Sequence, residues 1–537
     1  MIYTYISRDS NSFKKTKEDA IYTRGYCYYK DILIENAMDF WSISDWESSN
    51  DWISNLNELN GCYSLVKRIG KRLYAAVDRI RSYPLFYAVK ENDFFISDDI
   101  NWIISHFQGI EYDELAQKEF LLTGYVTGRE TLYKDIKQLQ AGELLVIEDS
   151  NDDVEFEVYK YFIPFNEEEK LKTKEVHYEL ELMLEKVFRR LVDSIKGKKI
   201  VLPLSGGYDS RLLALMLKKF GVDNVLCYTY GKRDNWEAKI SYEVAKQLGY
   251  EWVFVEYNSQ KWKEKFGSKA RAEYYQYADG ECAIPCIQDF PAVWELKERG
   301  LLADDCIFIP GHTGDFLAGS HIPKELLKNN EYNLEQLTNS IIKHHYILED
   351  YHLCNKKSKE EIQNKIKNEL ENVELFRGEK AINAFERWDW KERQAKFIVN
   401  SVRVYEFFGF DWRLPFWDYE FIHYWSKVPL EFRIDRWFYN EYIQKLGSDL
   451  KIPAPNPTPA IPMLKEFGKK VLNIPIISVY EEKIKRKYRV AKYHEIYTNH
   501  FLDWYSIIPL EVFKENYSGI ENINSFLVKQ RLGKIEF

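Results

Sequence analysis

The segment between residues 199 and 210 constrains the fold of this chain more than any other. Residues 199–204 read Lys-Ile-Val-Leu-Pro-Leu, in which five apolar residues follow the lysine, and this pattern is typical of a buried strand. The next six residues read Ser-Gly-Gly-Tyr-Asp-Ser, and a helical pattern begins at the last of them. Backbone N–H groups of such a glycine turn, together with the N-terminus of the helix, favour an anion. The segment therefore predicts a phosphate-binding loop.

Strands and helices alternate after this loop. Residues 210–220 and 236–248 have helical periodicity, and residues 225–230 and 252–255 read as strands. Consecutive parallel strands need a crossover connection, and a helix at this spacing supplies it. The pattern predicts an α/β domain with a doubly wound parallel sheet, extended by C-terminal helices.

The first 150 residues have a different pattern. They read as short strands separated by polar turns, for example at residues 73–78. An acidic run then spans residues 148–153, and such solvated runs rarely lie inside a core. We therefore expect a linker at about 150–172, between a first domain at 1–160 and a second at 173–537.

Composition narrows the classes of function. The 537 residues carry a formal net charge of −9, which argues against a protein wrapped along nucleic acid but permits a local anion pocket. No apolar run reaches the length of a membrane span, and the N-terminus lacks the pattern of a signal peptide. The 7 cysteines are scattered without a C-x-x-C pair, so we expect reduced thiols and a cytoplasmic protein rather than disulfides or a zinc site.

The side chains of the glycine loop indicate how an anion would be held. Gly206 and Gly207 allow close approach of the backbone, and Ser205 and Ser210 supply hydroxyl donors. Asp209 would repel a triphosphate unless a cation lies between them, and Mg²⁺ is the natural bridge. The loop lacks the G-x-x-x-x-G-K-[ST] pattern, which disfavours an ordinary P-loop kinase or GTPase. The alternative is a glycine turn without a ligand.

Several segments resemble one family of enzymes. Residues 205–210 match the S-G-G-x-D-S pyrophosphate loop of ATP pyrophosphatases. Residues 311–319 and 408–418 resemble the S-G-x-G-x-D-E-x-x-G-G and G-x-E-x-R-x-P-F-L-D segments of asparagine synthetases. Three N-terminal segments are similar to further motifs of those enzymes: 59–63, 78–87 and 124–133. Because the segments also come in the same order, the chain resembles the asparagine synthetase family.

This resemblance implies a fold and a reaction. The fold is an N-terminal nucleophile (Ntn) hydrolase-like αββα domain, followed by an adenine nucleotide α-hydrolase-like domain with the pyrophosphate (PP) loop. The family's carbon–nitrogen ligases cleave ATP between its α- and β-phosphates, adenylate a carboxylate and join it to an amine. By family position, Asp209 and Asp315 would hold Mg²⁺. ATP and pyrophosphate would contact Leu204, Ser205, Gly206, Gly207, Asp209, Ser210, Tyr230 and Gly311.

His312 is the candidate catalytic base. It stands where asparagine synthetases carry Glu, and where the related β-lactam-forming synthetases carry Tyr as part of a proton-abstracting pair. An amine that attacks an acyl-adenylate must lose a proton, and an imidazole can accept it at neutral pH. The alternative is that His312 only hydrogen-bonds a phosphate or a loop carbonyl. The family's lysine at the adenylate has no clean counterpart, and the candidates are Lys451 and Lys465, in and after the proline-rich stretch 451–459.

The first domain departs from the family at the expected nucleophile. Glutamine-hydrolysing members carry a cysteine directly after the initiator Met, and its thiol attacks glutamine. Here Ile2 occupies that position, and the family's Asn-Gly oxyanion pair falls at Arg24 and Gly25. We therefore expect no glutaminase activity and a first domain that is structural or docks a partner. Ammonia would come from solution or from a separate ammonia-supplying protein, or the nucleophile would be a larger amine.

Three functions fit the sequence. The first is an asparagine synthetase-like amide ligase that forms AMP and pyrophosphate, with aspartate as one candidate acid. The second is the same chemistry on a sugar acid or specialised metabolite, as in surface-polysaccharide or β-lactam-type pathways. The third is an inactive scaffold that binds nucleotide or a partner, which the intact loop and Asp315 disfavour. The oligomeric state, a homodimer included, stays open.

Overall fold

A computed structural model describes most of the chain. It describes residues 1–6, 11–14, 19–150, 153–166, 169–328, 331–370, 375–448 and 485–537. Its strands, numbered in chain order, are β1 Ile2–Tyr5, β2 Asn11–Lys14, β3 Asp19–Tyr29, β4 Ile32–Ile34, β5 Leu59–Ile69, β6 Arg72–Val77, β7 Phe86–Lys90, β8 Asp93–Ser97, β9 Ile136–Gln138, β10 Glu143–Ser150, β11 Asp153–Lys160, β12 Ile200–Pro203, β13 Val225–Gly231, β14 Glu251–Glu256, β15 Ile307–Phe308, β16 Glu331–Asn333, β17 Leu375–Arg377 and β18 Asp411–Trp412.

Helices surround these strands. The α-helices with described bounds are Ala37–Ile43, Ser49–Glu58, Ile100–Ser105, Glu114–Thr123, Val176–Ser194, Tyr208–Lys219, Trp236–Leu248, Ser259–Phe266, Lys269–Ala278, Phe290–Glu298, Gly314–Leu317, Leu334–His345, Lys356–Glu369, Lys380–Asp389, Arg403–Phe407, Tyr419–Lys427, Leu430–Arg433, Trp437–Ser448, Tyr493–Asn499, Leu510–Asn516 and Ile523–Arg531. A π-helix spans Trp390–Ile398, and a 3-10 turn, Val399–Val402, follows it. In the described part of the chain, no helix combines the length and apolar character needed to cross a bilayer.

The first domain consists of two sheets with helices outside them. One sheet has the order β1-β8-β7-β9, and the other has the order β11-β10-β6-β5-β3-β2 with β4 paired to β3. An apolar core that includes Ile2, Phe94 and Leu145 lies between the sheets. Separate clusters contain Trp52 on one side and Ile103 on the other, where helices pack on the outer faces. This arrangement confirms the predicted αββα fold.

The second domain contains the predicted parallel sheet. Its order is β14-β13-β12-β15-β18, and all four neighbouring pairs are parallel. The predicted helix at 236–248 has those limits in the structure, and the helix predicted from Ser210 begins two residues earlier, at Tyr208. The doubly wound α/β fold is therefore confirmed, and it brings the loops after β12 and β15 to one edge of the sheet.

The predicted linker is too long at its N-terminal end. The described residues of the acidic run belong to two paired strands, in which Ser150 of β10 pairs with Asp153 of β11. Val154 and Val158 of β11 pack against the core between the sheets, so the charged residues that alternate with them face outward. A strand with one solvated face can therefore look like a linker in sequence. The connection begins after Lys160, and the domain limits 1–160 and 173–537 stay a prediction.

Candidate active site

The glycine loop connects β12 to the helix Tyr208–Lys219. The backbone N–H of Ser205 donates to Ser210 Oγ at 3.1 Å, and the Gly207 N–H donates to Ser205 Oγ at 3.1 Å. These bonds fix the turn before any ligand binds. Gly207 is the N-cap and makes no side-chain cap, so N–H groups of the first helical turn can face an anion.

Close packing explains two glycines at the site. A Cβ on Gly206 would lie 2.6 Å from the indole ring of Trp236. A Cβ on Gly311 would lie 2.7 Å from the backbone nitrogen of Ser210. The second contact holds the loop after β15 directly against the start of the helix after β12. Any side chain at Gly311 would force these two loops apart.

Asp209 and Asp315 meet where the two loops touch. The Asp315 N–H donates to Oδ2 of Asp209 at 3.0 Å. Burial and the nearby Asp315 carboxylate raise the pKa of Asp209. Adjoining carboxylates resist double ionisation, and a divalent cation removes that repulsion. The described residues contain no group of three or more His, Cys, Asp or Glu side chains that could hold a metal ion. The pair fits Mg²⁺, although its metal role stays a prediction.

Two residues that sequence reasoning missed complete this acidic pair. The guanidinium of Arg436 lies 3.2 Å from Oδ2 of Asp315, and the Tyr439 hydroxyl donates to Oδ1 of Asp209 at 2.9 Å. Arg436 directly precedes the helix Trp437–Ser448, where a cation opposes the helix dipole. That unfavourable position is the signal that could have found Arg436, whereas Tyr439 carries no comparable signal.

A cavity of about 510 Å³ opens beside the two loops. This volume is in the range of small-molecule sites. The predicted residues that line it are Leu204, Ser205, Gly207, Asp209, Ser210, Tyr230, Gly311, His312 and Asp315. The structure therefore brings these predicted residues to one space, while Gly206 supports it from behind by packing on Trp236.

Tyr230 forms a fixed aromatic wall of this cavity. Its ring stacks on Tyr257 with centroids 5.0 Å apart, and its hydroxyl accepts a hydrogen bond from Gln288 Nε2 at 3.0 Å. Leu204 lies nearby, with its backbone N–H bonded to Tyr228 O at 2.9 Å. These positions are compatible with the adenosine pocket that the family resemblance implies. The adenosine-binding roles of Leu204 and Tyr230 stay predictions.

His312 lies in the same cavity, next to Ser401. Ser401 Oγ is 3.3 Å from Nε2 and 3.4 Å from Nδ1 of His312. Burial lowers the pKa of His312 to about 4. The imidazole is therefore neutral at pH 7 and can accept a proton, although a lower pKa also makes it a weaker base. Its catalytic role stays a prediction.

The residues at the positions of the family's glutaminase centre pack in the core of the first domain or contact the second domain. Ile2 is only 6% exposed and belongs to the core between the two sheets. Gly25 has φ +85°, and a Cβ there would lie 2.2 Å from Cys62 O. Arg24 donates to Tyr277 Oη at 2.7 Å and to Glu406 at 3.2 Å, both in the second domain. Arg24 thus joins the domains.

The candidate lysines cannot be placed. Lys451, Lys465 and the proline-rich stretch 451–459 lie outside the described residues.

The fold and the site together define a class of protein. It is an ATP pyrophosphatase-type α/β domain preceded by an Ntn amidotransferase-like domain. The family profile described as Asparagine synthase matches residues 181–446, and the Glutamine amidotransferase domain profile matches residues 38–161. By this architecture the chain belongs to the asparagine synthetase family. The match supports an ATP-dependent enzyme of the ligase type.

The chain is also similar to solved structures of other proteins. One is an NH3-dependent NAD synthetase from Campylobacter jejuni, with 18% identity over 28% of this chain and 63% of that chain, at a TM-score of 0.19. The match thus spans less than two thirds of that protein. Another is a glutamine phosphoribosylpyrophosphate amidotransferase from B. subtilis, with 10% identity over 56% of this chain and 63% of that chain, at a TM-score of 0.19. No curated protein matches the chain significantly.

Proposed function

We propose that this chain is a cytoplasmic amide ligase that uses ATP to adenylate a carboxylate and joins it to ammonia or another amine, releasing AMP and pyrophosphate. The observation that carries the proposal is the meeting of Asp209 and Asp315 beside the glycine loop. A lone glycine loop would suit any phosphate. Two acids facing the same space suit a polyphosphate only together with a cation.

Different residues of the cavity would serve different steps of the reaction. The loop N–H groups and the hydroxyls of Ser205 and Ser210 would hold the phosphates, so that the acid's oxygen reaches the α-phosphorus. Mg²⁺ held by Asp209 and Asp315 would neutralise charge on the departing pyrophosphate. His312 would then take a proton from the amine that attacks the acyl-adenylate.

A screen of acids tests the proposal. Purified protein, MgATP and ammonium or hydroxylamine would be incubated with a panel that includes aspartate, sugar acids and apolar carboxylic acids. AMP formation that depends on one acid is the expected result, with Asp209→Asn as the inactive control. ATP binding without AMP formation for every acid and amine would favour the inactive scaffold and contradict the proposal.

We also propose that the chain has no glutaminase activity of its own. Ile2 offers no nucleophile, and its side chain is buried in the core. Glutamine should therefore yield no glutamate above a heat-denatured control, while ammonium supports turnover. Glutamate production by the purified chain would contradict this part of the proposal.

A further inference from the structure

One helical segment contacts both the first domain and the active loop, which is the loop after β15 that contains His312, Thr313 and Asp315. It is the π-helix Trp390–Ile398, which leads into Val399–Val402. Helices of this wider type are rare and occur frequently at functional sites. Phe397 and Ile398 at its end line the cavity. The segment thus lies between the two domains and against the site.

Buried polar contacts attach this helix to the first domain. Glu392 accepts from the backbone N–H of Gly128 at 3.0 Å and from Gln140 Nε2 at 2.9 Å. Lys396 donates to Val126 O at 2.9 Å and to Gly128 O at 2.6 Å. Glu392 and Lys396 have no exposed surface, and each also bonds the other. Hydrogen bonds in such a dry environment hold their partners in one arrangement.

The opposite side of the same helix contacts the active loop. Thr313 Oγ1 donates to Gln394 Oε1 at 3.2 Å, and Gln394 Nε2 donates to Asp389 Oδ1 at 3.2 Å. The other oxygen of Asp389 lies 2.6 Å from His321 Nδ1. Gln394 is 1% exposed, so no water competes for its amide. Both ends of the Gln394 amide are therefore committed.

Thr313 needs such support because of its backbone. It lies between His312 and Gly314 and has φ +79°, in the left-handed region. A β-branched residue rarely adopts this conformation and keeps it only where its surroundings fix it. Thr313 is also the N-cap of Gly314–Leu317, the helix that contains Asp315. Its conformation therefore sets where His312 and Asp315 lie relative to each other.

We infer that Gln394 is a positioning residue, and that the first domain, through Gln140 and the π-helix, holds the loop from His312 to Asp315 in its working geometry. This inference rests on the proposed ligase function, since turnover is its readout. The first domain would then contribute to the ligase reaction without having glutaminase activity itself.

The first test replaces Gln394 with methionine, whose side chain has the same length but no amide group. In Gln394→Met, we expect kcat for acid-dependent AMP formation to fall by about tenfold or more, because small displacements of reacting groups are costly. The Kd for a non-hydrolysable ATP analogue should stay within about twofold, since the glycine loop is unchanged. The matched control is Lys391→Met, on the same helix. Lys391 is similarly buried and pairs with Glu369, away from the loop, and this variant should keep kcat.

The second test addresses the first domain. Gln140→Met removes a donor to Glu392 and touches no part of the cavity, yet it should also lower kcat. The double variant should lose less than the product of the two single losses, because both act through one helix. An unchanged kcat in Gln140→Met would overturn the role of the first domain, and an unchanged kcat in Gln394→Met would overturn that of Gln394.

These outcomes differ from failure of the proposed function, in which wild-type protein would make no AMP. If Gln394→Met does not fold, as judged by its thermal transition, Gln140→Met alone decides the inference. Equal loss of kcat in Lys391→Met would also overturn it, because the effect would then be general loosening of the helix.

Discussion

At the scale of single residues, the site depends on charges held close together. Asp209 accepts from Tyr439 and from the Asp315 backbone, and burial together with the second acid raises its pKa. A carboxyl group is an unfavourable choice for such a place unless a cation binds there. The same buried environment leaves His312 neutral.

Replacing Asp209 tests the charge without changing the shape. Asp209→Asn keeps an oxygen that can accept from Tyr439, but it removes the negative charge. We expect pyrophosphate release to fall by about a hundredfold or more, as for loss of a principal electrostatic group. Tyr439→Phe is the control, because it removes the hydrogen bond and leaves both acids in place. A smaller loss in Asp209→Asn than in Tyr439→Phe would remove Asp209 from the metal site.

His312 should act after adenylation. In His312→Gln, ATP–pyrophosphate exchange should persist, whereas amide formation should fall by about a hundredfold if the imidazole is the base. Because the pKa of His312 is about 4, the ring loses its ability to accept a proton only as the pH falls through that value. The ratio of wild-type to variant rates should therefore stay constant from about pH 8 to about pH 5. A ratio that drops near pH 6.5 would show an imidazole with an ordinary pKa.

At the scale of elements, the packing around the strand-to-helix turn decides which of its two glycines could carry a side chain. Gly206 lies against the ring of Trp236, the first residue of the next helix. A Cβ on Gly207 would instead meet only Ser205 Oγ, at 3.2 Å, which is a small movable group. The two adjacent glycines therefore differ in what they tolerate.

This difference predicts unequal effects of alanine. Gly206→Ala should destabilise the protein by about 1–3 kcal/mol through overpacking, and Gly207→Ala should cost less. Differential scanning of the protein without ligand would compare their transition temperatures. The double variant Gly206→Ala/Trp236→Ala should lose less stability than the two single variants together. Equal destabilisation by the two alanines would show that the Trp236 contact is unimportant.

At the scale of the whole molecule, buried ion pairs join the two domains. Glu406 accepts from Arg24 of the first domain at 3.2 Å. The same carboxylate accepts from Arg403 at 2.6 Å and from Tyr277 at 2.9 Å. Arg24 and Arg403 both lie over the ring of Tyr83, with guanidinium carbons 4.9 and 5.1 Å from its centroid. This cluster should make the domains unfold together.

Removal of Glu406 tests that coupling. Glu406→Ala removes a buried carboxylate that two guanidinium groups share, although Arg24 keeps its pair with Asp98 at 3.4 Å. We therefore expect a loss of about 3–5 kcal/mol and separation of one thermal transition into two. Glu111→Ala is the matched control, because its pair with Lys134 is exposed and its loss should leave the thermal transition almost unchanged. A single, unshifted transition in Glu406→Ala would show that other contacts couple the domains.

Sequence patterns located the second domain well because its signals are local. Apolar runs predicted β12, β13 and β14, and the hexapeptide at 205–210 predicted the loop, since strand, turn and helix are adjacent in the chain. The strand β11 was mistaken for part of a linker because charged residues dominate its composition.

The sequence by itself determined the parallel α/β fold of the second domain and the glycine loop with Asp209, because residue periodicity and a short motif encode them directly. The αββα fold of the first domain and the choice of Asp315 came from the resemblance to a family. Only the tertiary structure brought in Arg436, Tyr439 and Ser401, which belong to distant segments and have no motif of their own. The same is true of the path from Gln140 through Glu392 and Gln394 to Thr313. Contacts between residues hundreds of positions apart depend on how whole elements pack, and local sequence carries no record of that packing.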